Sequence, residues 1–325
     1  MKALVIGGAG YIGSHVVWDL LERNIEVIVC DNFSTGNRKN IVQHPKYYLV
    51  EGNFQDFEVL QKLISYKPDV VFHFAASKAA GESMLQPTKY SSNNIRGTLT
   101  LLEAMIENHI RFFIFSSSAA VYGEPKYLPV DEEHPREPTN YYGFTKKIIE
   151  DNLEWFSKLT DLRYASLRYF NAAGYDVKGR VLGLENNPQN LLPVVMETLI
   201  GKREKMQVFG NDYPTPDGTC IRDYIHVNDL SSAHLLAMDY IMNTNQNIVV
   251  NLGSEKGMSV LEVLQITEKV TNKKVPYEIG SRRKGDAVKL LASSQKAKTI
   301  LNWNPQFSDP ETIIRTMWET YQKNA

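Results

Sequence analysis

The segment best suited to do chemistry is YYGFTKK, in which Tyr142 and Lys146 stand four residues apart. On a helix, residues at this spacing lie on one face. A phenol has an unperturbed pKa of about 10, and a nearby ammonium favours the phenolate. We therefore expect Lys146 to bring the pKa of Tyr142 toward the working pH, which predicts a tyrosine general base. A serine run, Ser116–Ser118, precedes the pair.

The first 31 residues predict a dinucleotide site. An apolar strand, Lys2 to Ile6, runs into a turn and a helix opening that contain Gly7, Gly8, Gly10 and Gly13. A second strand, Glu26 to Cys30, ends at Asp31. Strand, glycine turn, helix, strand and acid in this order let backbone amides approach a pyrophosphate at a helix N-terminus. Asp31 would accept hydrogen bonds from the adenosine ribose and repel a 2′-phosphate, which favours NAD over NADP.

Composition sets the broad class. The chain has 325 residues, 43 % apolar content and a net charge of −1, so nothing indicates a nucleic-acid or polyanion binder. Met1 leads directly into the first strand, so we expect no signal peptide. No apolar run approaches the roughly 20 residues needed to span a bilayer, so we expect no transmembrane helix. Two cysteines, Cys30 and Cys220, cannot form a disulfide framework. We expect a cytoplasmic protein with reduced thiols and no metal.

Strands alternate with helices through the first half of the chain, which predicts an α/β fold with a doubly wound parallel sheet. After about Gly174 prolines interrupt the pattern, and helices mix with short strands. We therefore expect a Rossmann-type domain over residues 1–174 and a smaller mixed α/β substrate lobe over residues 175–325, with some elements returning to the first domain. Ligands of such sheets bind outside the carboxyl ends of the strands.

The motifs in their order along the chain carry a family resemblance. The segments are GGAGYIGSH, HFAASKAAGES, FIFSSSAAVYGE, YYGFTKK, LRYFNAAG, VFGNDYPTPDGTCIRDYIHV, VNLGS and RRKGD. Together they resemble the UDP-glucose 4-epimerase family of the extended short-chain dehydrogenase/reductase superfamily, from about residue 2 to residue 303. The glycine turn and the Tyr/Lys pair indicate only the superfamily. The FGNDYPTPDGTCIRDYIHV segment is specific to a smaller group of proteins and indicates the epimerases.

The resemblance implies a role for particular residues. Catalysis would rest on Tyr142, Lys146 and Ser118. The residues that match cofactor contacts are Gly7, Gly10, Tyr11, Ile12, Gly13, Asp31, Asn32, Asn53, Phe54, Phe74, Ala75, Ala76, Lys78, Asn93, Tyr142, Lys146 and Tyr169. Those that match substrate contacts are Ser118, Tyr142, Asn171, Asn190, Leu191, Phe209, Arg222, Tyr224, Arg283, Asp286 and Leu290.

The chain departs from the family pattern at two of these positions. Asn53 stands where the family usually has an aspartate facing the adenine amino group, and its side-chain oxygen remains an acceptor. Leu290 stands where the family has a gate beside the C2 substituent of the sugar. A large aromatic residue at the gate restricts the enzyme to UDP-glucose and UDP-galactose, and a small residue also admits N-acetylated sugars. We expect a leucine to leave too little room for the acetamido group.

The implied reaction interconverts UDP-galactose and UDP-glucose through oxidation at C4 with tightly bound NAD, rotation of the 4-keto sugar and reduction. Epimerisation of another UDP-sugar, such as UDP-N-acetylglucosamine, a UDP-pentose or a UDP-uronate, stays open. A nucleotide-sugar dehydrogenase and an inactive nucleotide-binding sensor are weaker alternatives. A 4,6-dehydratase needs an additional acid and base where this chain has Ala119 and Ala120. The resemblance also suggests a homodimer.

Overall fold

Short apolar runs and the helices between them build the protein, and the structure, a computed structural model, describes residues 1–283 and 286–325. Lys284 and Gly285 of the RRKGD motif lie outside these described residues. The strands are β1 (Lys2–Ile6), β2 (Glu26–Asp31), β3 (Tyr47–Glu51), β4 (Val70–His73), β5 (Phe112–Ser118), β6 (Arg163–Tyr169), β7 (Asn171–Ala173), β8 (Met206–Phe209), β9 (Ile221–His226), β10 (Ile248–Leu252), β11 (Gly257–Ser259), β12 (Tyr277–Gly280) and β13 (Lys289–Leu290).

The α-helices are α1 (Tyr11–Glu22), α2 (Phe57–Ser65), α3 (Ala80–Leu85), α4 (Pro87–Tyr90), α5 (Gly97–Glu107), α6 (Tyr141–Leu159), α7 (Leu191–Leu199), α8 (Val227–Thr244), α9 (Val260–Thr271), α10 (Gln295–Leu301) and α11 (Pro310–Gln322). A π-helical segment, Ser91–Arg96, leads into α5. Among the described residues, none of these helices combines the length and the apolar character that crossing a membrane requires.

Seven parallel strands form the central sheet in the order β10-β6-β5-β4-β1-β2-β3. Its inner strands are buried along nearly their whole length, because helices cover both faces of the sheet. The strand order reverses between β1 and β4, which makes this the point where a ligand crevice opens. The predicted doubly wound α/β fold is confirmed.

The later part of the chain contributes to both regions. Helix α8 and strand β10 belong to the central sheet and its covering layer, since β10 pairs with β6 and α8 packs on α1. Strand β9 pairs with β7, β11 and β13, and β8 pairs with β12, so these short strands build the smaller mixed region. Helices α7, α9 and α11 pack on one another there and enclose a separate apolar core.

Helix α6 positions the Tyr/Lys pair. Asn140 caps the helix, since its side-chain oxygen accepts a hydrogen bond of 2.9 Å from the backbone N–H of Gly143. The inward face of α6 buries Lys146, Ile149 and Leu153, three- and four-residue steps that follow the helical period. The sheet side of this helix therefore carries the lysine, and the tyrosine lies one turn earlier, near the ends of the strands.

Candidate active site

Side chains from several elements meet at one edge of the sheet because all seven strands are parallel. The glycine turn follows β1, Asp31 ends β2, Phe74 follows β4 and Ser118 ends β5. Tyr169 ends β6 beside Ser118, since the two residues are register partners. The residues that the sequence places after the strands thus lie along one crevice, although they come from positions up to 160 residues apart.

The Tyr142–Lys146 pair lies against the end of β5. The ammonium of Lys146 donates a 2.7 Å hydrogen bond to the carbonyl oxygen of Ser116. It also lies 4.7 Å from the ring centre of Phe115 and 5.8 Å from that of Tyr142. Lys146 is buried, and Tyr142 and Ser118 are half-buried and thus open toward the crevice. The geometry therefore brings the three predicted catalytic residues together.

The pKa values of this pair differ from the sequence-based expectation. Burial raises the pKa of Tyr142 to about 12, and a hydrogen bond with Ser118 opposes part of the rise. Burial lowers the pKa of Lys146 to about 7, opposed by the negative charge of Glu150. The expectation that Lys146 brings the pKa of Tyr142 toward neutral pH is therefore wrong for the protein chain alone. Loss of solvation dominates, and Lys146 is not among the groups that lower the pKa of the phenol.

A buried polar network lies directly behind the pair, and the sequence analysis missed it. Glu150, one turn after Lys146, forms two hydrogen bonds of 2.6 and 2.9 Å with the guanidinium of Arg168 on β6. The hydroxyl of Ser117 donates to the same carboxylate at 2.6 Å. Arg168 in turn donates to the hydroxyl of Tyr122 at 2.8 Å. The i, i+4 spacing of Lys146 and Glu150 was a signal that could have revealed the glutamate.

The glycine turn and Asp31 form a surface that fits a dinucleotide. Gly7 has a φ of +84°, and a Cβ there would lie 2.8 Å from the backbone nitrogen of Ala75, so only glycine lets the turn pack this closely against the segment after β4. The carboxylate of Asp31 accepts hydrogen bonds from the backbone N–H groups of Ala9 at 2.9 Å and Phe33 at 2.8 Å. Each carboxylate oxygen keeps a further lone pair for ribose hydroxyls.

Other predicted cofactor residues line the same side of the crevice with different degrees of access. Asn53 caps the turn after β3, where its side-chain oxygen accepts from the N–H of Gln55 at 3.1 Å. Phe54 is buried, and its ring packs against His73, which leaves its backbone for any ligand contact. Asn93 donates to the Ser77 hydroxyl at 3.2 Å. Gly10, Tyr11, Ile12 and Gly13 open helix α1, Asn32 is exposed after β2, and Phe74, Ala75, Ala76 and Lys78 follow β4.

The predicted substrate residues converge on the smaller region. Arg222, on β9, donates to the carbonyl of Ala287 at 2.7 Å, and its other terminal nitrogen lies 3.9 Å from the carboxylate of Asp286. Arg283 pairs with the same carboxylate at 2.9 Å, and its guanidinium lies 5.4 Å from the ring centre of Phe209. Two guanidinium groups and one aromatic ring thus surround one place, which suits a diphosphate joined to a flat base.

The remaining substrate candidates border this place. Asn171, on β7, donates to the carbonyl of Asp223 at 2.7 Å, and Asn190 and Leu191 begin helix α7. Tyr224 is buried, and burial raises its pKa. Leu290, on β13, is the register partner of Arg222 and packs against the apolar cluster of Ala119, Val121, Tyr122 and Val130. Leu290 therefore stands between the arginine region and the end of β5.

A Rossmann-type sheet with a serine, a tyrosine and a lysine at its strand ends defines the extended short-chain dehydrogenase/reductase class, and comparison with known proteins narrows this class. The family model described as GDP-mannose 4,6 dehydratase matches residues 4–317. The UDP-glucose 4-epimerase of Halalkalibacterium halodurans is 44 % identical over 326 residues, covering 100 % of this chain and 96 % of that protein. The chain belongs to the UDP-glucose 4-epimerase family.

Solved structures agree in fold over the whole chain. A crystal structure of a UDP-glucose 4-epimerase is 42 % identical with a TM-score of 0.96 and covers 99 % of this chain and 98 % of that chain. The Bifidobacterium longum UDP-glucose 4-epimerase, solved in complex with NAD⁺ and UDP, is 36 % identical with a TM-score of 0.93. The aligned region covers 100 % of this chain and 99 % of the Bifidobacterium longum chain.

Proposed function

We propose that the protein is a UDP-glucose 4-epimerase that interconverts UDP-galactose and UDP-glucose with tightly bound NAD. The observation that carries the proposal is the placement of Tyr142, Lys146 and Ser118 at the strand ends, between the glycine turn and the Arg222–Arg283 region. A base thus lies between a dinucleotide cradle and an anion site. Inversion of a carbinol carbon by oxidation and reduction needs this order of parts.

The dinucleotide cradle fits NAD. Gly7, Gly10, Tyr11, Ile12 and Gly13 would hold the pyrophosphate at the N-terminus of α1, and Asp31 and Asn32 would bind the adenosine ribose. Asn53 and Phe54 would border the adenine, and the other predicted cofactor residues would line the nicotinamide half. When bound, NAD would supply the hydride acceptor and donor for C4, and its positive ring would lower the pKa of a neighbouring phenol. Lys146 would bind the nicotinamide ribose.

Tyr142 removes the proton of the C4 hydroxyl during oxidation and returns it during reduction. Ser118, at the end of β5 beside the phenol, would orient the sugar hydroxyl toward Tyr142. Burial keeps the phenol protonated in the chain alone. The proton-accepting form therefore depends on positive charge gathered around it, which limits deprotonated tyrosine to the loaded site.

The UDP group stays anchored while the ketone turns over. Arg222 and Arg283 bind the diphosphate, Asp286 orients both guanidinium groups, and Phe209 lies against the uracil. Asn171, Asn190, Leu191 and Tyr224 border the sugar and phosphates. Leu290 lies beside the sugar and limits the space for a C2 substituent, so UDP-N-acetylglucosamine is a poor substrate. We propose the corresponding division of labour, with NAD held by residues 1–174 and the UDP-sugar mainly by residues 175–325.

The 4,6-dehydratase activity in the description of the family model fits the site less well than epimerisation does. A dehydratase must eliminate water and needs an acid and a base next to the catalytic hydroxyl. Ser118 is followed by Ala119 and Ala120, and the side chain of Ala119 is buried in an apolar cluster. With no titratable group at either position, elimination lacks its proton donors.

We also propose a cytoplasmic homodimer. The outward face of α6 carries Phe144, Trp155 and Leu159, with exposures of 39 %, 62 % and 73 %. These residues follow the helical period and form an apolar stripe, which suits contact with the same helix of a second copy. Trp155→Glu should convert the dimer to monomer in light scattering; an unchanged mass would place the interface elsewhere.

The proposed cytoplasmic location is supported by the cysteines. The two thiols, Cys30 and Cys220, are free and buried, in keeping with a reducing compartment.

The experiment that tests the function uses UDP-galactose alone, without added NAD. We expect UDP-glucose to form, and we expect NAD(H) in the supernatant after the protein is denatured. No product with UDP-galactose, or activity that depends strictly on added cofactor, would contradict the proposal.

A further inference from the structure

Residues 181–185, here named the strap, cross the mouth of the dinucleotide cradle. Val181 and Leu184 are buried in an apolar core cluster, which anchors the strap on one side. The strap runs from there toward the loop that follows β2 and toward Lys78, which follows β4. It therefore spans two loops that belong to opposite sides of the strand-order reversal.

Two asparagines tie the strap to the cradle. The side chain of Asn37 donates to the carbonyl of Leu184 at 3.0 Å, and the backbone N–H of Gly183 donates to the side-chain oxygen of Asn40 at 2.8 Å. Asn40 also donates to the carbonyl of Ala9 in the glycine turn at 3.0 Å. Asn40 is buried, so its hydrogen bonds are shielded from water and join the strap to the turn through one side chain.

An ion pair between Glu185 and Lys78 holds the far end of the strap. The carboxylate of Glu185 lies 2.8 Å from the ammonium of Lys78, with side-chain exposures of 20 % for Glu185 and 50 % for Lys78. A cavity of about 40 Å³ remains beneath, lined by Gly10 and Tyr11 of the glycine turn and by the strap itself. The pair thus completes a wall on the open side of the cradle.

We propose that the strap is the outer wall of the NAD site and that Gly183 and Glu185 set how slowly NAD leaves. The inference rests on the proposed function, because only an enzyme with an internal redox cycle needs to retain its cofactor between turnovers. Glu185 would act through Lys78, because the lysine lines the cradle in which the anionic pyrophosphate would bind. Opening the wall requires the Lys78–Glu185 pair and the two asparagine ties to break together.

Two substitutions loosen the strap by different means. A Cβ at Gly183 would lie 2.6 Å from the Cβ of Asn37 and 2.6 Å from the side-chain oxygen of Asn40, so Gly183→Ala pushes the strap outward. Glu185→Gln keeps the shape and removes the charge. The matched controls are Gly81→Ala, where a Cβ meets nothing within 4 Å, and Glu311→Gln, which removes the exposed partner of Lys269.

The experiment measures the exchange of bound NAD in the purified holoenzyme against an excess of isotopically labelled NAD, followed by desalting and mass spectrometry. We expect exchange to become about 10-fold faster in Gly183→Ala and about 2- to 5-fold faster in Glu185→Gln, with both controls at the wild-type rate. In a Lys78→Met background, Glu185→Gln should give no further acceleration, because the pair is already broken.

Opposite outcomes separate this inference from the proposed function. If the wild-type protein retains NAD while both strap variants exchange at the wild-type rate, the strap is not the wall and the epimerase assignment stands. Slower exchange in Glu185→Gln would mean that the glutamate repels the cofactor phosphates, which also overturns the inference. A wild-type protein purified without NAD would overturn both.

Discussion

Replacement of Lys146 by methionine should change how the stability of the protein depends on pH. Burial lowers the pKa of Lys146 to about 7 in the folded state, against about 10.4 for a lysine in an unfolded chain. Between these values the unfolded state binds a proton that the folded state has lost. The free energy of unfolding must therefore rise with pH across this window. Below pH 7 both states are protonated, and this contribution becomes constant.

The size of the effect follows from the two pKa values. A fully developed difference of one proton is worth about 1.4 kcal/mol per pH unit. Because Lys146 is about half protonated at pH 7, the rise from pH 7 to pH 9 amounts to about 2 kcal/mol. Lys146→Met removes the titrating group, so the wild-type protein should gain about 2 kcal/mol relative to the variant over this range. Guanidinium chloride unfolding at pH 6, 7, 8 and 9 measures the difference.

The comparison between proteins isolates the lysine, because every other titrating group is common to both. Methionine also leaves the Ser116 carbonyl without its donor, but that loss changes the free energy of unfolding by the same amount at every pH. Lys158→Met is the matched control, since Lys158 is an exposed lysine on the same helix. Parallel pH curves for the wild-type protein and Lys146→Met would refute a lowered lysine pKa.

Four further variants test the other parts of the site. Tyr142→Phe should retain the fold and bound NAD but lose about 10² to 10⁴ in kcat, because no proton acceptor remains; near-wild-type turnover with bound NAD would exclude Tyr142 as the base. Arg222→Ala and Arg283→Ala should each raise KM for UDP-galactose about 10- to 100-fold with little change in far-UV circular dichroism; an unchanged KM in both would move the diphosphate site. Leu290→Gly should raise activity on UDP-N-acetylglucosamine and lower stability by about 1 to 3 kcal/mol; equal kcat/KM on both sugars in the wild-type protein would show that Leu290 is not the limit.

The central sheet was predictable because its signals are local. Several of its strands contain short apolar runs, as β1 and β5 do, and β1, β3 and β4 each lead through a turn into a helix. The smaller region lacks such signals. Strands β7, β11 and β13 have two or three residues each, and they pair with β9 from positions 30 to 70 residues away. Pairing of this kind depends on tertiary packing rather than on periodicity.

The active site likewise has features that the sequence predicts and features that it does not. Spacing alone predicted that Tyr142 and Lys146 share a helix face, and the strand-end rule predicted the edge of the sheet where ligands bind. Only the family resemblance implied that Ser118 joins the pair. The pKa values were not predictable, because they depend on how much water each group loses. The Glu150–Arg168 pair also escaped, since a helix residue and a strand residue 18 positions apart carry no shared pattern. The roles of the ligand-binding residues stay predictions.

The side of the crevice that carries the base is more buried than the side that carries the arginines, and the proposed reaction explains this difference. Behind Tyr142, the Glu150–Arg168 pair has side-chain exposures of only 3 % and 5 %, so removing Glu150 leaves the Arg168 guanidinium buried without its carboxylate and costs about 3 to 5 kcal/mol. The Arg283–Asp286 pair is more open, since the arginine side chain is 59 % exposed. A base must meet the C4 hydroxyl in one geometry, whereas the sugar must turn over between two. In the proposed site Leu290 borders the sugar with a side chain that makes no hydrogen bond, so it would favour neither orientation of the ketone. A rigid base and an adaptable, apolar sugar wall are what an enzyme needs to return hydride to either face of one carbon.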